Sequence, residues 1–218
     1  FFSVGYLHDK GSVKNTIYDR FNARFNADVD MKEWLNVQVR MGIAYSQSQL
    51  KQQGLNYANP VLNSLIKAPF LHPFIIDSND IELPVTEDAD LLGISNPYEV
   101  INSSELSLNS YNFIGSLNFK FKISDNLEAN LMGGSELNKI NEFAFFPKYG
   151  FYNSEYPEYN LVQKGVSSFS RTSTEFNLVY NKTINEVHNI SGVFGIRLNF
   201  DEIIQDIGSG VGTPSDEF

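Results

Sequence analysis

Hydrophobic and polar residues alternate along most of this chain with a period of two. In the stretch NISGVFGIRLNF, Ile190, Gly192, Phe194, Ile196, Leu198 and Phe200 share one parity, while Asn189, Ser191, Val193, Gly195, Arg197 and Asn199 share the other. Such a period places alternate side chains on opposite faces of an extended strand. The same pattern recurs over Phe2–Leu7, Phe21–Val29, Leu35–Ser46, Tyr111–Ile123, Leu127–Leu137 and Ser173–Asn181. About seven amphipathic strands result, and no window carries a helical period of comparable strength.

The connections predict how those strands are joined. Short polar turns lie between Val29 and Leu35 (DMKEW), Ile123 and Leu127 (SDN), and Thr183 and Asn189 (INEVH). The remaining connections are generally longer: DKGSVKN from Asp9, about 47–106, about 145–170, and a tail from about Asp201. Short and long connections alternate strictly. In an antiparallel up-and-down sheet this puts all tight turns at one edge and the long loops at the other, the asymmetry of a transmembrane β-barrel. A soluble sandwich predicts strands of about 5–6 residues. A loop near 60 residues is foreign to a compact domain, where connections above about 12–15 residues are uncommon.

Composition sharpens this reading. Apolar residues make up 42% of the 218, with no run long enough for a membrane-spanning helix. That leaves barrel strands open, because each is only half apolar and hydropathy averages hide it. Aromatic residues reach 14%, with 18 Phe and 11 Tyr but one Trp. The net charge of −10 argues against a nucleic-acid partner, which requires a concentrated basic patch. The absence of cysteine excludes disulfide and thiolate chemistry. The expected fold is therefore all-β, an antiparallel up-and-down transmembrane β-barrel segment occupying residues 1–218, with the long loops at about 47–106 and 145–170 extracellular. The chain starts without Met inside a strand pattern, and part of a longer protein is expected.

Specific residues carry a resemblance. FFSVGYLHDKG followed by YDRFNARFNADVDMKEWLNVQVRMGIAYSQSQ is similar to a barrel segment of the SusC/RagA-type TonB-dependent outer-membrane transporters. The matching positions are Gly5, Tyr6, Leu7 and Gly11, then Arg20, Asn22, Arg24, Asn26, Asp28, Trp34, Leu35, Val37, Tyr45 and Ser46. KAPFLHPF from Lys67, Asn96-Pro97, FFPKYG from Phe145 and His188–Gly192 follow in family order. The resemblance implies a barrel of about 22 strands around a plug domain, with the plug and the TonB-binding segment outside these residues. It also implies a place in the outer membrane of a Gram-negative cell, uptake of oligosaccharides or peptides, a SusD-like surface lipoprotein as lid, and energy delivered through TonB. It implies no cofactor and no enzymatic activity. A passive porin or structural barrel, and a soluble carbohydrate-binding β-domain, are the competing expectations.

Candidate site residues divide by location. On the long-loop side, Tyr57, Asn59, Phe70, His72, Phe74, Tyr98, Tyr149, Phe151, Tyr152, Tyr156 and Tyr159 offer rings for stacking on sugars and amides for hydroxyl or peptide groups. On the polar parity, Arg24, Arg40, Lys120, Glu136, Glu175 and Arg197 would face the lumen, with Asp28, Lys122 and Glu128 nearest the short turns. Trp34 and Tyr180 near short turns, and Tyr45 and Tyr111 near long loops, fall where two aromatic girdles belong. His8, His72 and His188 sit in or beside three different connections, which opposes a shared metal site or catalytic triad. Asp28 and Asp30 read as a solvated turn, and Gly133-Gly134 lacks the Lys of a phosphate loop.

Overall fold

The computed structural model describes residues 1–54, 58–83, 94–151, 159–185 and 187–215. One antiparallel sheet of seven strands dominates it. Its strands are β1 (Phe2–Lys10), β2 (Ile17–Lys32), β3 (Leu35–Leu50), β6 (Glu105–Ser124), β7 (Leu127–Phe146), β8 (Leu161–Ile184) and β9 (His188–Val211). Each pairs with its predecessor in that order, so the sheet is a pure up-and-down meander. The long connection between β3 and β6 holds two short helices, α1 (Pro60–Ile66) and α2 (Pro97–Ser103), and the small hairpin β4 (Ile75–Ile76) and β5 (Glu82–Leu83).

Register sorts the side chains into two unlike faces. Val29, Val37, Phe119, Leu131, Phe176 and Ile196 stand side by side in one row across the sheet. One residue along, Asp28, Gln38, Asn118, Met132, Glu175 and Arg197 stand in a row on the opposite face. Slippage by one residue would exchange the faces, and the alternation holds the register against it. The two bulges, at Asp30/Lys32 and Lys122/Ser124, both sit beside short turns and leave the long ladders undisturbed.

Among the described residues no second layer covers the apolar face. Phe194, Ile196, Leu198 and Phe200 are 61%, 53%, 56% and 72% exposed. Among the described residues the buried apolar side chains are Ala58, Val100, Ala129, Phe145 and Phe146, and all but Ala129 lie at the long-loop end. A sandwich would bury this face; here it is the outer surface of a wall.

The apolar band also slides along the strands. Toward the long loops its last members are Tyr45 on β3, Leu137 on β7 and Phe200 on β9; toward the short turns they are Leu35, Leu127 and Ile190. Relative to the paired rows, both limits shift by four residues between β3 and β9. That is about 13 Å along a strand against about 19 Å across four strand spacings, an inclination of about 35°. Barrel strands tilt by that amount. Leu35 to Tyr45 then spans about 25 Å along the barrel axis, the height of a barrel's apolar belt. Tyr45 and Tyr111 pack at 4.9 Å between ring centroids at one limit, and Trp34 and Phe121 stack at 6.3 Å near the other.

The strands run further than the alternation predicts. The stretch 145–170 expected as a loop is strand at both ends, because β7 continues to Phe146 and β8 begins at Leu161. Likewise β9 continues from Asp201 to Val211, and the 47–106 connection narrows to 51–104. The reason is physical. Beyond the apolar belt both faces of the sheet are wet, so nothing enforces alternation, while the backbone ladder between Leu161–Arg171 and Asp201–Val211 still gains from pairing.

Gly115 illustrates how the outer face is filled. A Cβ there would lie 2.8 Å from Phe113 Cζ, since the Phe113 ring folds over the glycine. Gly115→Val should displace that ring and destabilise the sheet. A double-mutant cycle with Phe113→Ala, measured by urea unfolding of the full-length protein in lipid vesicles, should give a coupling of about 0.5–3 kcal/mol. Additivity would show that the two positions do not interact.

Candidate functional site

Two surfaces carry the polar chemistry: the cap formed by the long connections, and the polar face of the sheet. The cap starts from two Asn-Pro dipeptides. Asn59 and Asn96 each precede a proline at the first turn of a seven-residue helix, where its missing N–H costs nothing. Asn59 Oδ1 accepts from the N–H groups of Val61 (3.0 Å) and Leu62 (3.2 Å), and Asn96 Oδ1 from Tyr98 N–H (3.1 Å). These caps satisfy donors that a short helix would otherwise leave open.

The same asparagines tie distant segments together. Asn59 Nδ2 donates to the Gly54 carbonyl at 2.7 Å. Asn96 Nδ2 donates to the Pro73 carbonyl, and Asn96 N–H donates to Gly150 O at 2.6 Å. Gly150 takes a φ of 74°, a left-handed conformation suited to glycine. Asn63 Nδ2 donates to Ser95 O (3.1 Å), linking α1 to the approach to α2, and Asn15 Nδ2 reaches Ile101 O (3.0 Å) from the β1–β2 turn. Lys51 Nζ donates to Ser104 O at 2.5 Å. Burial pushes the Lys51 pKa down, against the raising influence of Glu105. Lys51, Glu99, Glu105, Asn102 and Phe145 border a cleft of about 670 Å³. In the β4–β5 turn, the N–H groups of Ile81 and Asn79 hold the Asp77 carboxyl below the usual range.

The cap places the expected loop residues unequally. Asn59 is used as a helix cap, so its amide serves the fold. Phe70 is 78% and Tyr98 55% exposed, and the rings of His72 and Phe74 lie 6.2 Å apart. Tyr149 lies under Lys148 Nζ at 5.2 Å, and Phe151 stacks on Phe146 at 4.4 Å. Through Asn96, the segments bearing Phe74, Tyr98 and Tyr149 meet in one cap. Tyr57, Tyr152 and Tyr156 lie outside the described residues.

On the polar face, charge is distributed unevenly. Glu175 Oε2 and Arg197 Nε pair at 2.8 Å across β8–β9. In another row Arg171 holds Asp201 through two bonds of 2.7 and 2.8 Å, with Glu136 beside Arg171. The alternation does not predict this second pair, because it leaves Asp201 in the tail, with no strand partner. On β2 and β3, by contrast, Arg20, Arg24 and Arg40 have no ion pair among the described residues. Arg20 and Arg24 flank a hollow of about 220 Å³ that exists because Gly42 and Ala44 are small; Asn22, Asn112 and Glu136 also line it. Lys120 lies between Asn36 and Asn130 in its row. Asp28 and Asp30 accept from Asn36 (2.6 and 2.8 Å), and Asp28 also from Gln38 (2.9 Å). The side-chain oxygens of Asn118, Asn130 and Asn138 are buried without a hydrogen-bond donor among the described residues.

The histidines are held apart. His8 Nδ1 lies 2.8 Å from Asp19 Oδ1, which also accepts from Tyr6 Oη (2.7 Å), all on the apolar parity. His72 sits in the cap and His188 opens β9.

No protein-family model and no curated protein sequence matches the chain. Solved structures do. The chain is similar to a chain of the RagAB peptide importer in its closed-closed state, with a TM-score of 0.74 and 17% identity. The RagAB peptide transporter and the importer's open-open state match with the same TM-score at 16% identity. In each case the match covers 99% of this chain but 24% of the other. At that identity the likeness is one of fold: an all-β, up-and-down sheet equivalent to part of an importer chain.

The cap depends on Asn96 more than on any ring it displays. Asn96→Ala should cost about 1–2 kcal/mol for the lost cap alone. It should also speed amide exchange in 97–104 and around Phe74 while β6 to β8 stay protected, as hydrogen-exchange mass spectrometry would show. Unchanged exchange at Phe74 would rule out the coupling of the Pro73 segment to α2 through the Asn96 side chain.

Proposed function

We propose that this chain forms part of the barrel wall of a TonB-dependent outer-membrane importer of peptides or oligosaccharides, working with a SusD-like surface lipoprotein. The observation that carries the reading is the uncovered apolar band, inclined about 35° to the paired rows. Water would oppose such an exposed surface, whereas hydrocarbon favours it, and a closed ladder is the only sheet that lipid tolerates. The fold shared with the RagAB peptide importer supports transport.

In this reading the polar face lines the lumen, and the cap stands on the extracellular side beneath the lipoprotein. The wall carries out no covalent step. Its part is to present fixed donors to a solute or to the plug, and the unpaired Arg20, Arg24 and Arg40 favour carboxylate-bearing solutes, which Arg binds in a fork. Pairing Arg171 with Asp201 and Arg197 with Glu175 occupies the cations of the β7–β9 polar face, where Glu128 and Glu136 remain as acids.

Two measurements test this. In vesicles, Leu117→Lys on the outer face at mid-belt should destabilise the full-length protein by about 2–4 kcal/mol, while Ser173→Lys on the inner face should change it by a fraction of that. Equal effects would exclude a lipid-facing band. In cells, deleting TonB or the lipoprotein gene should abolish uptake of labelled peptide or oligosaccharide; uptake that survives would favour a passive pore. Replacing Arg24 and Arg40 together by Gln should reduce uptake of an acidic peptide several-fold more than that of its neutral analogue.

A further inference from the structure

Beyond the belt, toward the long loops, the inner face changes character. On β6 the polar Glu105, Ser107 and Asn109 take the outer parity, and Leu106 and Leu108 take the inner one. Leu50 and Ala144 flank Leu106 in its row. With Phe146 and Leu161 these side chains line a hollow of about 440 Å³, which Ala58 of the cap also borders. One acid enters it. Glu142 stands between Leu108 and Gly165 in its row, with Ile207 beyond. A Cβ on Gly165 would lie 3.2 Å from Glu142 Oε2, so the carboxylate leans over the glycine. Glu142 has no ion pair among the described residues. Lys164, which also borders the hollow, belongs to the outer parity. Gln52 and Gln163 supply amides at the edge. Neither a lipid belt nor a packed core accounts for leucines on a wet wall, and an apolar patch with a polar rim marks a binding site.

We infer that this hollow is a binding subsite for the amino-terminal residue of a peptide, with its apolar side chain on Leu106 and Leu108 and its α-ammonium group at Glu142. The proposal rests on the importer reading, which turns this face toward the lumen. Hydrocarbon fills an apolar hollow more favourably than water does, and a carboxylate binds an ammonium group through charge-assisted hydrogen bonds. Leu108 and Glu142 stand one strand spacing apart, about 4.8 Å. That is the reach between the α-ammonium and the side chain of a single residue; a lysine ammonium would stand farther off. The two amides match the donor and acceptor of a peptide unit. Arg20, in the next inner row three strands away, offers the opposite charge farther along an extended chain. A neutral oligosaccharide brings no cation to Glu142. The Phe146 ring is 5% exposed and stacked on Phe151, so its face is closed to a sugar.

The test uses the full-length protein in non-ionic detergent and the fluorescence anisotropy of octapeptides of glycine and serine, labelled at the carboxyl end. They carry leucine or glycine at the amino terminus, and that terminus is free or acetylated. The free leucine peptide should bind about tenfold more tightly than the free glycine peptide, and acetylation should weaken it several-fold. Leu108→Ser should erase the leucine preference and keep the acetylation effect; Glu142→Gln should do the reverse. Circular dichroism checks that both variants keep the folded barrel. A wild type that binds all four peptides equally, or none, would overturn the subsite whatever the variants do. So would a leucine preference unchanged in Leu108→Ser, or an acetylation effect that survives Glu142→Gln. Uptake of labelled peptide that persists without TonB would instead remove the importer reading and leave these binding preferences intact.

Discussion

The continuous antiparallel ladder is the constraint on which the rest depends. A single sheet with no packed layer on its apolar face gains little from conventional core burial, so its shape is held by backbone pairing and by the register that pairing fixes. Across the long strands that register runs unbroken, with irregularities confined to two short turns. Once it is set, the assignment of every side chain to one face follows, because a strand offers only two. The outer belt, the girdle rings and the inner charges are consequences of the same ladder.

The inner face shows how pairing distance governs electrostatics. Arg171 and Asp201 are thirty residues apart in sequence, and Glu175 and Arg197 are twenty-two apart; adjacent strands bring each pair within hydrogen-bond reach. Both pairs are partly exposed, so their contribution to stability is small. Their larger effect is to occupy the guanidinium groups of β8 and β9, while those of β2 and β3, with Lys120 of β6, have no ion pair among the described residues in a chain whose net charge is −10. An acidic protein whose polar face carries arginines with no ion pair among the described residues is suited to meeting carboxylates there.

The cap obeys different physics. Its helices are too short to hold themselves together, since nucleating a helix costs more than a few turns return. They persist because asparagine side chains terminate them and because buried polar groups, Lys51 among them, reach backbone carbonyls of neighbouring segments. Rings such as Phe70 and Tyr98 can therefore stay exposed, leaving their faces open to a lid or a solute.

The sequence by itself determined the strand order, the two faces and the asymmetry of the connections. Alternation is a local property, and the contrast between lipid-like and polar surroundings writes it into every strand within the belt. Residues such as Val39, Leu117 and Leu198 report their face without knowledge of their partners. The tertiary structure alone decided where the strands end, because from Leu161 to Phe169 and from Asp201 to Val211 both faces are wet and alternation has no cause. It also decided the arginine partners, which depend on register between strands, and the folding of the cap. Asn59-Pro60 and Asn96-Pro97 signal helix starts in the sequence, but helices of seven residues carry no readable period. The hollow between Leu50 and Ile207 was equally hidden, since it draws its walls from residues far apart in the chain that share one patch only after the ladder closes.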